Sequence, residues 1–201
     1  MRDFGSAVVL AGGKSSRMGF DKSTMVLQNK KLIESTIKKL DSLFDDIIIS
    51  VDILEKKSEF NHDKIAVDKV KGVGPLGGMI SALEMAQSDR LFVIPCDMPV
   101  IDTKYISFMM KYMDDNEIIL SEKNGYFEPF PGFYSKSLIP RIEELINQNR
   151  RSIRSIFECS RTKVISESDW KKLGFSEEIF TNLNTTQDVE KYLSYKWLKL
   201  I

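Results

Sequence analysis

A chain of 201 residues is long enough to bury a full core and is expected to form one domain spanning 1–201. Hydrophobic residues make up 42% and charged residues 29%, close to globular averages, which excludes collagen-like, low-complexity and wholly disordered chains. Lys+Arg and Asp+Glu are 29 each, so no global charge drives the protein onto nucleic acid or an anionic membrane, and any bound anion must be held by a local site.

Short apolar runs at 7–10, 47–51, 65–67, 91–94 and 118–120 are continuous rather than alternating, the pattern of strands covered on both faces. Between them lie helical spacings: Leu32, Ile33, Thr36, Ile37, Leu40 and Leu43, then Met79, Ile80, Leu83 and Met85. Strands alternating with helices predict an α/β fold with a mainly parallel, doubly wound sheet. The segment Glu128-Pro129-Phe130-Pro131-Gly132 disfavours a central strand and predicts an edge or a bend. A helix is expected over 139–146, and Thr185 with Asp188 resembles a capping box opening a C-terminal helix that carries Val189, Tyr192, Leu193 and Trp197. The chain has no linker, repeat or charge block. No apolar stretch approaches the roughly 20 residues of a spanning helix, and the apolar run 7–11 is too short for a signal h-region. Two distant cysteines, Cys96 and Cys159, form no disulfide framework, so a reducing, cytoplasmic setting is expected.

The first strand runs into Leu10-Ala11-Gly12-Gly13-Lys14-Ser15-Ser16-Arg17-Met18-Gly19-Phe20-Asp21-Lys22. Ligands of open α/β sheets bind outside the carboxyl ends of the strands, where this loop falls. Its glycines let backbone N–H groups converge on an anion, and Lys14, Arg17 and Lys22 add three cations, a combination suited to a polyphosphate. It is not a P-loop, because the position that would need a glycine is Val8, inside the strand. A dinucleotide fingerprint does occur as Gly72-Val73-Gly74-Pro75-Leu76-Gly77, with Asp97 about 20 residues on. Yet it follows the third strand rather than the first, and Pro75 removes a donor from the cradle.

Asp97 ends the strand-like run 91–94 between two prolines, and an ionised carboxylate there must be solvated, paired or bound to a cation. One or two carboxylates with substrate phosphates suffice for Mg²⁺. Asp68, after the run 65–67, is a second candidate at the same edge, with helix capping or an Asx turn as the alternative role for both. His62, the only histidine, lies in a polar loop, which leaves little material for triads or histidine metal sites. Cys96 is expected to be a small buried residue, the nine methionines to fill the core, and the basic cluster 150–154 to be either solvated or a grip for a second phosphate-bearing substrate.

Four segments in order, 10–22, Gly-Pro-Leu-Gly-Gly at 74–78, Cys-Asp-Met-Pro at 96–99 and Asn-Leu-Asn-Thr at 182–185, resemble the motif set of the molybdenum cofactor guanylyltransferases, over essentially the whole chain. That resemblance implies a Rossmann-like nucleotidyltransferase fold similar to the nucleotide-diphospho-sugar transferases. It implies that GMP passes from GTP to molybdenum-molybdopterin with release of pyrophosphate. Leu10, Ala11, Gly12 and Gly13 would then hold the guanine and ribose side and Lys22 the phosphates. Asp68 and Gly74 would complete the pocket, and Asp97 would bind Mg²⁺. Arg17, Lys22 and Asp97 would be catalytic, and Gly78, Asn182 and Asn184 would face the pterin. Transient contact with molybdoenzyme apoproteins or cofactor chaperones is implied as well. The alternatives are a cytidylyl- or sugar-1-phosphate nucleotidyltransferase, a dinucleotide-dependent dehydrogenase, and a non-catalytic carrier of the cofactor.

Overall fold

Ser6–Leu10 is buried at every position and forms β1, the strand around which the rest of the sheet is laid. The computed structural model describes residues 5–12, 26–27, 30–70 and 72–198. After β1 come a short antiparallel ribbon of β2 (Val26–Leu27) and β3 (Lys30–Lys31), helix α1 (Leu32–Leu40), β4 (Asp46–Val51), β5 (Ile65–Val67), α2 (Pro75–Met85) and β6 (Arg90–Pro95). They are followed by α3 (Thr103–Met109), β7 (Ile118–Lys123), β8 (Tyr126–Ser135), α4 (Ile139–Asn147), β9 (Thr162–Ile165), α5 (Glu167–Lys172) and α6 (Thr186–Leu198).

The main sheet has seven strands in the order β5-β4-β1-β6-β8-β7-β9, and only β8 runs against the others. Alternate residues of each strand feed two cores. Ala7 and Val9 of β1 join the side of Ile33, Tyr105 and Trp170, whereas Val8 and Leu10 join the side of Met79, Leu83 and Ile142. Helices therefore cover both faces, as the unbroken apolar runs predicted.

The sheet departs from expectation at β8. It is central, between β6 and β7, rather than an edge. The prolines are tolerated because the ladder is broken where they fall. Pairing to β6 covers only 132–135, and pairing to β7 shifts register between Ile119 and Ser121. No strand hydrogen bond is asked of Pro129 or Pro131. In α2, Met79, Ile80 and Leu83 are buried but Met85 is exposed, so the methionines are not all core filling. The expected cap of α6 forms: the Asp188 carboxylate accepts from the N–H groups of Asn184 and Thr185, and the Thr185 hydroxyl accepts from the Asp188 N–H. Among the described residues no helix is long and apolar enough to cross a membrane.

Candidate active site

The order of connections reverses at β1. The chain leaves β1 for β4 and β5 on one side, then crosses back through α2 to β6 on the other. The crevice between the carboxyl ends of β1 and β6 is thus the switch point where ligands bind in such sheets. Cys96 N–H donates to the Leu10 carbonyl at 2.9 Å and Ala11 N–H to the Ser50 carbonyl at 2.8 Å, so the exits of β1, β4 and β6 are one surface.

On that surface lie Leu10 at the end of β1 with Ala11 and Gly12 just beyond it, Asp68 after β5, Gly74 at the start of α2 and Asp97 after β6. Asn182 and Asn184 join them from far along the chain, because the intervening Leu183 donates its N–H to the Asp97 carbonyl at 2.9 Å. Both asparagines are exposed, while Asp97 is 9% exposed. The remaining predicted residues, Gly13, Lys14, Arg17 and Lys22, lie outside the described residues.

Two glycines are needed for this arrangement. Gly74 holds φ of 62°, a left-handed conformation that lets the chain turn into α2 directly ahead of Pro75. Gly78 is buried, and a Cβ there would lie 2.5 Å from Ser50 Oγ and 3.3 Å from Asp68 Oδ1. Its small size lets the first turn of α2 close onto the ends of β4 and β5. Gly72-Val73-Gly74-Pro75-Leu76-Gly77 thus serves helix entry and close packing, and it follows the edge strand β5 instead of β1.

Asp68 accepts from Ser50 Oγ at 3.3 Å. Burial, reinforced by the neighbouring Asp52 carboxylate, pushes its pKa up to about 6 against the opposing Ser50 hydrogen bond and Lys56 charge. A carboxyl so poised at a ligand-binding edge fits a functional site. Ser50, Asp52 and Lys56 were not among the residues picked from the sequence. The signal that flagged Asp68 and Asp97, a polar residue closing a buried apolar run, also marks Asp52 after 47–51. Lys56 Nζ sits 2.9 Å from Asp52 Oδ1, with the two side chains 10% and 29% exposed.

Elsewhere the bland expectations hold. His62 Nε2 is 2.7 Å from the Ile47 carbonyl in a loop, and Cys96 is buried. The basic cluster is partly spent on structure: Arg150 pairs with Glu158 at 2.6 Å and Arg151 Nη1 donates to the Gly72 carbonyl at 3.2 Å. A groove of about 420 Å³ between α3 and the turn at 173–175 is lined by Lys104, Phe108, Lys111 and Phe175, and none of the predicted site residues reaches it.

Could the site hold a divalent ion? Among the described residues no group of three or more His, Cys, Asp or Glu side chains converges, whereas the exits of β5 and β6 each carry a strand-end carboxylate, Asp68 and Asp97. That donor set fits Mg²⁺ shared with phosphate oxygens and does not fit an all-protein cage.

An α/β sheet whose switch point brings Leu10, Ala11 and Gly12 beside the exit of β6 that carries Asp97 suits a nucleotide-binding enzyme, of the nucleotidyltransferase class. The family model of the MobA-like NTP transferase domain matches residues 7–165, and the chain belongs to that family. It is 39% identical over 94% of its length to the "Probable molybdenum cofactor guanylyltransferase" of Peptoclostridium acidaminophilum, covering 88% of that protein. To the molybdenum cofactor guanylyltransferase of Syntrophotalea carbinolica it is 35% identical over 94% of the chain and 90% of that protein. Among solved structures, the molybdopterin-guanine dinucleotide biosynthesis protein A of Archaeoglobus fulgidus superposes with a TM-score of 0.80 at 25% identity, covering 92% of this chain and 95% of that one. The sugar-nucleotide-transferase-like fold and the nucleotidyltransferase activity expected from the motifs are thereby borne out.

Proposed function

We propose that this protein transfers GMP from GTP to the terminal phosphate of molybdenum-molybdopterin, forming molybdopterin guanine dinucleotide and releasing pyrophosphate. The observation that supports this reading is the junction of the β1 and β6 exits, Cys96 N–H to Leu10 carbonyl at 2.9 Å, which brings Leu10, Ala11 and Gly12 beside the strand exit that carries Asp97. A single domain over 1–201, acting in the cytoplasm, carries the activity, and contact with molybdoenzyme apoproteins or cofactor chaperones would be transient.

Leu10, Ala11, Gly12 and Gly13 receive the guanosine, Asp68 and Gly74 close the nucleotide pocket, and Gly78, Asn182 and Asn184 serve the pterin side. For Gly78 that service is indirect, through the packing of α2 on Ser50 and Asp68. Both reactants are polyanions, so charge neutralisation is the first requirement. Lys22 and Arg17 stabilise charge on the α-phosphoryl oxygens and on the leaving pyrophosphate. When bound at Asp97, Mg²⁺ supplies further positive charge to the same oxygens. The phosphate nucleophile, with a second pKa of about 6, is already ionised near neutral pH, so no residue has to remove a proton.

Pyrophosphate release from GTP and Mg²⁺, dependent on molybdenum-molybdopterin, tests the reaction. Thermal shifts with GTP, CTP, UTP and ATP test the base. Stabilisation by CTP or UTP in preference to GTP overturns the guanylyl assignment.

A further inference from the structure

We infer that Asp52, held by Lys56, reads the guanine base and sets the preference for GTP. This rests on the nucleotide-binding reading of the β1 exit. The backbone N of Asp52 lies 2.9 Å, and its Cβ 3.3 Å, from the position a Cβ on Gly12 would take. Gly12 thus lets the Leu10–Gly12 loop lie directly against Asp52, and a base seated on that loop meets this side chain. Asp52 Oδ1 is fully buried and lies 2.9 Å from Lys56 Nζ, while the whole side chain remains 29% exposed. The carboxylate is therefore anchored by Lys56 at one oxygen while part of the side chain stays open to a ligand. Lys56 is a positioning residue, 8% exposed overall, on the 3₁₀ segment Leu54–Glu59.

The chemistry selects one base. Guanine offers two adjacent donors, N1–H and N2–H, which a carboxylate accepts together. Cytosine and adenine place a ring-nitrogen lone pair beside their amino group, and a carboxylate facing it is repelled and left unpaired. Inosine keeps N1–H but lacks the N2 amino group. Xanthine replaces that group with a carbonyl, which suits an asparagine amide instead.

The experiment measures equilibrium dissociation constants of GTP, ITP and XTP with Mg²⁺ for the wild-type protein, Asp52→Asn and Lys56→Gln, with circular dichroism to verify the fold. The wild type is expected to favour GTP over both ITP and XTP. Asp52→Asn is expected to weaken GTP by about 10- to 100-fold and to tighten XTP, reversing their order. Lys56→Gln is expected to narrow the GTP-to-ITP ratio without favouring XTP. An equal loss for all three nucleotides in Asp52→Asn assigns the carboxylate to the ribose or to packing and overturns the inference, as does an unchanged ratio. If Asp52→Asn does not fold, a Lys56→Gln ratio equal to that of the wild type overturns it. A wild type that binds none of the three overturns the nucleotide-binding reading itself.

Discussion

The N–H of Leu183 donates to the carbonyl of Asp97 at 2.9 Å, joining the last loop of the chain to the exit of a central strand 86 positions earlier in sequence. Leu183 is wholly buried against Leu32, with Val189 and Tyr192 packed on the pair. Just upstream, Phe180 lies edge-on to Trp170 at 5.4 Å, and the Trp170 indole N–H donates to the Glu122 carbonyl at 3.0 Å. The Asn182–Asn184 segment is thus clamped from both sides. Leu183→Ala is expected to cost about 2–5 kcal/mol in urea unfolding. The folded fraction should show a raised KM for the pterin acceptor with a GTP dissociation constant near that of the wild type. An unchanged acceptor KM would separate this clamp from the acceptor side.

Charge neutralisation is tested at Asp97 and Lys22. Asp97→Ala and Lys22→Ala are each expected to lower turnover by about 10²- to 10³-fold while leaving the circular dichroism spectrum intact. Wild-type pyrophosphate release from Asp97→Ala protein would refute the metal assignment.

Burial of the Asp68 carboxyl costs stability once it is ionised. Its pKa of about 6 in the folded protein lies above the ordinary 3.8, so across that interval the native state holds more protons than the unfolded chain. Stability therefore falls as pH rises through the interval and stays reduced above it. Asp68→Asn is expected to raise the thermal midpoint at pH 8, to change it less at pH 5, and to weaken GTP binding at pH 8. A midpoint lowered equally at both pH values would mean that the carboxylate is a net stabiliser.

The approach of α2 to the sheet predicts a coupled pair. Gly78→Ala places a methyl 2.5 Å from Ser50 Oγ and 3.2 Å from Leu10 Cδ2. Overpacking of this kind costs about 1–3 kcal/mol, with a loss of GTP affinity as Asp68 is displaced. Ser50→Ala removes the nearest atom, so the double variant should recover part of the stability lost in Gly78→Ala. Strict additivity in the denaturation cycle would contradict the contact.

At the amino end of β4 Asp46, 3% exposed, accepts from Ser6 Oγ at 2.6 Å and from the Gln87 N–H at 2.8 Å, and pairs with Lys64. Burial alone would raise its pKa, but the bonds from Lys64, Ser6 and Gln87 outweigh it and hold the carboxyl below its ordinary 3.8. A lowered acid contributes stability that is present above the unfolded value and is lost as pH falls through the folded one. Asp46→Ala is expected to cost about 3 kcal/mol at pH 7, and the gap to the wild type should shrink on acidification below 3.8. A gap independent of pH would show that packing alone is lost.

The sequence by itself determined the strands and their burial on both faces, because five unbroken apolar runs such as 47–51 and 91–94 can be satisfied only between two layers of helices. It also determined Asp68 and Asp97 as strand-end carboxylates, and the Thr185–Asp188 cap, since each is a local relationship of a few residues. Tertiary structure alone decided the central place of β8. The two prolines forbid regular pairing locally, yet they fall where pairing to β6 does not reach and where pairing to β7 shifts register. It alone decided that Asp52 abuts Gly12 and that Gly78 sits on Ser50 and Asp68, distances set by how closely β4 and α2 approach. Finally, it decided that Asn182 and Asn184 flank Asp97. That contact is a single backbone hydrogen bond between segments far apart in the chain, and no side-chain pattern encodes it.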